Sequence, residues 1–357
     1  MPSNGLCTSS RCHRAHRLLV PATLLLAAGC AINPKVDLAG LQGVEPPVVA
    51  LDAPFFPQTE NQCGPAALAT VLTAAGAATH PAELSAQVYL PGREGSLQVE
   101  LLAATRRHGR IPFQLDPEVD ALVAEVTHGR PVLVLQNLRT RSLPAWHYAV
   151  LVGYDTQRNA LQLNSGADEG LWVEAPTFLR TWDWAGHWAV IALQPGQLPA
   201  ALDGAAGGAA TGATVDRYLR AIADFEAVAG TEAASPAWQG AATRWPGHRW
   251  PALALGNRAY ESGELESAAR WYQRGLAASP QDPALANNLA SVLGEAGCAR
   301  AGEALLRPVV LRLDDESAWR ITIETTLQDL AARKGPDGAS CASFGHSSQE
   351  VAALPQP

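Results

Sequence analysis

Phe55-Phe56-Pro57-Gln58-Thr59-Glu60-Asn61-Gln62-Cys63-Gly64-Pro65-Ala66-Ala67-Leu68 is the stretch on which the chain turns. A polar, turn-rich approach ends in a cysteine. From there Leu68, Val71, Leu72 and Ala75 fall at helical spacing, and Gly76 stops the run. Pro65 suits the first turn of such a helix, where its missing N–H costs nothing. A thiol at a helix N-terminus sits at the positive end of the dipole, which favours the nucleophilic thiolate. Cys63 lies off the apolar stripe, so packing alone does not account for it. The stretch therefore reads as a cysteine nucleophile, and the rest of the chain must supply its partners.

Outward from this helix, Val48-Val49-Ala50-Leu51 reads as a short strand and 81–89 as a short helix. Residues 91–95 form a turn. Ser96 is expected to cap a helix with Leu97, Leu101 and Leu102 as its stripe, ending near His108-Gly109. Asp116-Pro117 opens another, with Val119, Leu122, Val123 and Val126, ending at Gly129. The pattern then changes to continuous or alternating apolar runs at 131–135, 147–153, 161–163, 171–173 and 188–193, with a short helix at 176–184. Helices first and an antiparallel sheet afterwards is an α+β order.

Thiol catalysis needs a base, a group that orients the base, and oxyanion donors. Most histidines sit at helix ends or turns, such as His108 before Gly109 and His128 before Gly129, and read as capping residues. His147 differs, standing at the mouth of a buried strand after Leu143-Pro144-Ala145-Trp146. His187, before Trp188, mimics that placement and reads as a structural strand-start residue. The strand after His147 turns at Tyr154-Asp155 and returns as Leu161-Gln162-Leu163-Asn164. In an antiparallel hairpin the returning end lies beside the starting end, so Asn164 is expected near His147 as its orienting group. Asp155 falls at the far end and reads as a turn residue.

Gln-x(4)-Cys-Gly-Pro-Ala-Ala, then His-Tyr-Ala-Val-Leu-Val-Gly-Tyr-Asp, then Asn a strand later, resembles the papain-like cysteine peptidases of the bacteriocin-processing, double-glycine type, over roughly residues 49–195. The resemblance implies a papain-like fold in which Cys63 attacks, His147 is the base, Asn164 orients it and Gln58 lines the oxyanion hole. The chain departs from the pattern in three places. Gln58 lies one residue closer to the cysteine than is usual, Gln62 immediately precedes Cys63 where Asp is frequent, and Asn replaces the common Asp. Gln58 and Gln62 are thus both candidates for the oxyanion donor. No nucleotide-binding motif accompanies these residues, so export-coupled leader removal is not expected.

Pro195 to Thr214 is rich in Gly and Ala and reads as a linker; everything beyond is helical. Val215, Leu219, Ile222 and Ala223 share one face of a first helix. Leu255-Gly256-Asn257, Tyr260, Gly263, Ala268, Tyr272, Leu276 and Pro280 look like one tetratricopeptide repeat. Pro283, Asn287-Asn288-Leu289 and Gly297 begin a second, with a degenerate helix at 300–306. Such repeats imply a concave surface for a protein partner.

At the N-terminus, Arg11, Arg14 and Arg17 precede an apolar run from Leu18 to Ala28, too short for a comfortable membrane span. It ends in Leu26-Ala27-Ala28-Gly29-Cys30, which resembles a bacterial lipobox. That implies lipidation of Cys30 and, with Ala31 rather than Asp following, the periplasmic face of the outer membrane. Cys7 and Cys12 would leave with the signal, and an oxidising compartment suits a disulfide between Cys298 and Cys341.

The resulting organisation is a lipoprotein signal peptide at 1–29, a tether at 30–48, a papain-like cysteine peptidase domain at 49–197, a linker at 198–213, a tetratricopeptide-like helical domain at 214–333 and a tail at 334–357. A net charge of −8 argues against nucleic acid as the main partner. No metal or organic cofactor is implied, since His, Cys and acidic residues do not cluster at ligand spacing. The reading is a cysteine peptidase acting on a peptide or protein substrate. Its rivals are an inactive peptidase-like scaffold that binds through its helical domain, and a transferase or amidase on the same site.

Overall fold

The computed structural model describes residues 34–41, 44–58, 61–204, 211–333, 341 and 344. The expected signal peptide, Cys7, Cys12, Cys30 and most of the 334–357 tail lie outside the described residues. A 3-10 turn, Leu38–Gly40, and strand β1 (Val48–Ala50) come first. Helices α1 (Cys63–Ala74), α2 (Pro81–Val88) and α3 (Gln98–Arg107) follow. The last two are separated by a small hairpin, β2 (Tyr89–Leu90) with β3 (Gly95–Ser96). Then come β4 (Ile111–Gln114), α4 (Val119–Thr127), β5 (Val132–Asn137), β6 (Trp146–Asp155), β7 (Ala160–Ser165), β8 (Asp168–Glu174), α5 (Ala175–Asp183) and β9 (Ala189–Leu193).

The main sheet runs β4-β9-β5-β6-β7-β8, with β1 paired to the far end of β6, and every pairing is antiparallel. Both of its faces are buried. Leu133, Leu135, Tyr148, Val150, Val152, Val190 and Ala192 pack beneath α1, α2 and α3. Val132, Val134, Ala149, Leu151, Leu161, Leu163, Ala189 and Ile191 pack on the other side, with residues of α4 and α5. Two buried faces explain why the strands read as continuous apolar runs rather than as alternations. The register of β6 on β7 shifts between Leu151 and Gly153. Glycine is required there, because a Cβ would fall 2.5 Å from the Val49 carbonyl oxygen.

Ile111–Gln114, between α3 and α4, is the edge strand β4; its Pro112 is tolerated because edge positions need no ladder donor. Two expectations need correction. Ser96 does not cap α3: it lies on β3, and Leu97 holds the N-cap position. The 30–48 tether is docked in part, since Leu38 is fully buried in the sheet core. Its N–H donates to Asn159 Oδ1, and Asn159 Nδ2 donates back to the Val36 carbonyl. A single anchoring leucine does not alter composition, so a compositional reading passes over it.

Helices α6 (Gly212–Ala229), α7 (Thr231–Arg244), α8 (Arg249–Glu261), α9 (Leu265–Ala278), α10 (Pro283–Glu295), α11 (Ala299–Val310) and α12 (Ala318–Ala332) complete the chain. Residues 198–204 of the expected 198–213 linker are not a free spacer. Ala200 and Leu202 are buried, and Ala200 N–H donates to the buried carboxylate of Glu125. Glu125 also accepts from Arg130 Nε at 2.5 Å. Nor do the helices form a separate body: Tyr218, Leu219, Ile222 and Phe225 of α6 belong to the same core as Ile111, Phe113 and Leu193. Two ion pairs, Arg106–Asp224 at 3.0 Å and Arg217–Asp116 at 2.8 Å, flank this contact. Exposed pairs contribute about 0–1 kcal/mol, whereas each fully buried large apolar side chain contributes about 1.5–3 kcal/mol. The apolar seam therefore holds the two regions together, and the ion pairs align it. Further out, Cys298 and Cys341 form a disulfide with Cα atoms 5.5 Å apart, and Phe344 is buried against Tyr272, Leu285 and Leu289.

Ile222 is fully buried in this shared core. Ile222→Ala is expected to lower stability by about 2–5 kcal/mol, read by urea denaturation. The same midpoint shift should appear in tryptophan fluorescence, which reports on both regions, and in helical circular dichroism. A shift confined to one probe would mean that the regions unfold separately.

Candidate active site

Cys63 is the first residue of α1, half-buried, with a free thiol. Gln62, at the N-cap, makes no side-chain capping bond, and no acidic residue occupies the first turn. The N–H groups of that turn thus keep their positive end for negative charge arising at the thiol or beside it. Gly64 is dictated by packing: a Cβ there would lie 2.4 Å from Ser96 Oγ and 2.6 Å from Ser96 Cβ. Among the described residues Ser96 Oγ is buried without a hydrogen-bond partner, while the Ser96 carbonyl accepts from Tyr148 O–H at 3.2 Å. Tyr148 is itself buried, edge-on to Trp188 at 5.7 Å. Burial, and secondarily the nearby charge of ionised Cys63, push its phenol well above the ordinary range.

His147 precedes Tyr148 at the start of β6, paired across to Gln136 of β5. Its Nε2 lies 2.9 Å from Ser165 Oγ. Burial alone holds its imidazole below the ordinary histidine range. The expected orienting residue, Asn164, is not at the ring. The register places Asn164 opposite Val150, on the strand face that Val150 shares with Tyr148. Asn164 Oδ1 accepts instead from Gly170 N–H at 3.0 Å, closing the β7–β8 turn. Ser165, one position on, falls on the alternate face shared by Leu163, Leu151 and Ala149, and so meets His147. The residue at the ring is thus Ser165, the one after the expected Asn164.

Gln58 joins the two strand ends. Its backbone N–H donates to the Gly166 carbonyl at 3.0 Å, and its side-chain Nε2 reaches the Tyr148 carbonyl at 3.5 Å. Gln58 therefore bridges the ends of β6 and β7 beside His147 and Ser165. Of the two glutamines considered, Gln58 is anchored at this junction, while Gln62 stands at the helix start.

The remaining candidates have structural roles. His187 adopts φ of 56° after α5, stands 3.7 Å from Asp183, and lies edge-on to Trp182 at 4.7 Å. His80 caps α2 through Ala82 N–H, and His128 Nδ1 is 2.8 Å from the Ala124 carbonyl at the end of α4. Asp155 accepts from Arg158 N–H at 2.9 Å in the β6–β7 turn. Among the described residues no group of His, Cys, Asp and Glu is placed to hold a metal ion, and no helix is long and apolar enough to cross a membrane.

Two expectations follow. Asn164→Ala leaves the half-buried Gly170 N–H without its acceptor and should cost about 0.5–1.5 kcal/mol of stability in chemical denaturation. For His147, the unfolded chain takes up a proton near pH 6.5 that the native state resists. Native stability should therefore fall as pH drops from 7 to 5, relative to a His147→Gln variant measured in parallel. Curves that run parallel over that range would remove the case for a buried neutral imidazole.

Residues 50–190 match the Peptidase_C39 like family. No curated protein matches the chain. Among solved structures, the chain is similar to a C39-like protein of Bacillus anthracis, with 17% identity over 41% of this chain and 98% of that one, at a TM-score of 0.35. It is similar also to a double glycine motif protease from an AMS/PCAT transporter, solved in complex with the leader peptide, with 20% identity over 40% of this chain and 93% of that one, at a TM-score of 0.32. A third is the peptidase domain of Streptococcus ComA, a bifunctional ABC transporter, with 17% identity over 41% of this chain and 98% of that one, at a TM-score of 0.32.

Proposed function

We propose that the domain around residues 49–197 is a cysteine peptidase with Cys63 as nucleophile and His147 as general base and acid. One observation carries the reading. Gln58, on the approach to the Cys63 helix, bonds the Gly166 and Tyr148 carbonyls beside the His147–Ser165 pair. The match of residues 50–190 to the C39-like family supports the same chemistry.

In this reading Cys63 Sγ attacks the carbonyl carbon of a bound peptide. The S–C bond forms as the thiol proton passes to His147, and the carbonyl π electrons move onto oxygen. The first-turn N–H of α1 and the Gln58 amide supply the oxyanion donors, each worth about 10²–10³ in rate. His147 then protonates the leaving amine as the C–N bond breaks, leaving a thioester. Water, deprotonated by the same ring, hydrolyses the thioester and restores the thiol. Lipidation at Cys30 places the enzyme on the bacterial cell envelope. The Cys298–Cys341 disulfide suits an oxidising compartment outside the cytoplasm.

The test is cleavage of a defined peptide library by the lipid-free protein, followed by mass spectrometry. Cys63→Ala is expected to abolish every cleavage while keeping the wild-type melting temperature. Cleavage persisting at the wild-type rate in that folded variant would refute the assignment.

A further inference from the structure

Among the described residues, the His147 ring has one side-chain hydrogen-bond partner, and it is a hydroxyl at 2.9 Å. We infer that Ser165 is the positioning residue for His147, an uncharged acceptor that holds the imidazole with Nδ1 as its basic nitrogen. The inference rests on the cysteine-peptidase reading and names the group that orients its base.

The chemistry of the pair supports it. A serine oxygen accepts from Nε2–H whether the ring is neutral or protonated, so one contact serves both halves of the proton cycle. With the Nε2 proton fixed on Ser165, the Nδ1 lone pair is the one left to take the thiol proton. The contact is also rigidly supplied. Ser165 ends β7, its neighbour Gly166 is tied by its carbonyl to Gln58 N–H, and its cross-strand partner is Asp168.

A hydroxyl orients the ring without stabilising the imidazolium as a carboxylate would. Nearby charge does not supply what it lacks. The titratable groups on the surrounding elements are Cys63 of α1, Tyr148 of β6 itself, Asp183 and His187 at the end of α5, and Asp168 and Glu169 of β8. Asp183 is engaged by Arg141 at 2.5 Å and by His187, and Asp168 and Glu169 are exposed. Desolvation is the one influence acting on the ring. As the S–C bond forms, the thiol proton moves to Nδ1, the nitrogen that the Ser165 contact leaves free. A carboxylate at 165 would favour a preformed thiolate–imidazolium pair.

Full-length protein is alkylated with iodoacetamide from pH 5 to 9, and labelling of Cys63 is timed by peptide mass spectrometry. Ser165→Asp is expected to move the rise in Cys63 reactivity about one unit toward acid, which is about tenfold faster labelling on the rising limb. In the peptide-library assay, Ser165→Ala should lower kcat about tenfold with KM unchanged, and Ser165→Thr, which keeps the hydroxyl, should restore it. A Ser165→Asp profile that overlays wild type in the folded protein overturns the proposal, as does full kcat in Ser165→Ala. If Cys63→Ala is inactive while the Ser165 variants match wild type, only this inference fails. If Cys63→Ala cleaves as wild type, the peptidase reading fails and takes the inference with it.

Discussion

The period-two alternation of β6 governs the rest of the domain. Tyr148, Val150 and Val152 face the helices α1 to α3, while Ala149 and Leu151 face the opposite layer. A strand buried on both sides has no face to spare for water, so its register is fixed by two cores at once. That constraint sets which residues meet at its open end. It seats Tyr148 beneath the start of the Cys63 helix, and it passes His147 to Ser165 rather than to Asn164.

The same buried faces explain why the helical region is continuous with the sheet. Core residues of β4 and β9 find their cover in α6, through Tyr218, Leu219, Ile222 and Phe225. Glu125 shows how tightly the connection is held. A carboxylate buried by this packing is costly unless it is fully paired, and it is matched by Arg130 and the Ala200 N–H. Burial pushes its pKa up, with Arg130 opposing. Residues 198–204 are thus part of the packed structure, with Ala200 and Leu202 buried.

The electrostatics of the site are built mainly from neutral parts. The helix start offers partial positive charge without an acid or a capping side chain to consume it. Burial holds the His147 ring below the ordinary range, and its side-chain partner is a hydroxyl. The amide of Gln58 reaches the Tyr148 carbonyl. Placed dipoles of this kind keep their strength in a partly buried setting.

Much of this was legible in the residues. The helix from Cys63 was marked by Pro65 and the Leu68, Val71, Leu72 stripe. The strands from 132, 146, 160 and 189 were marked by their apolar runs, because burial on both faces leaves few polar interruptions, whereas the largely exposed β8 was marked only at 171–173. The positions of Cys63 at a helix start and His147 at a strand start were legible too, because local patterning marks element ends. The tertiary structure alone decided which residue faces the His147 ring. A one-residue change along a strand reverses the side-chain direction, and the register depends on a bulge at Val152-Gly153 that no local propensity announces. It alone decided, too, that Leu38 and Leu202 are anchors and that α6 completes the sheet core. Burial is a property of what lies opposite a side chain, and that is settled only when the chain is packed.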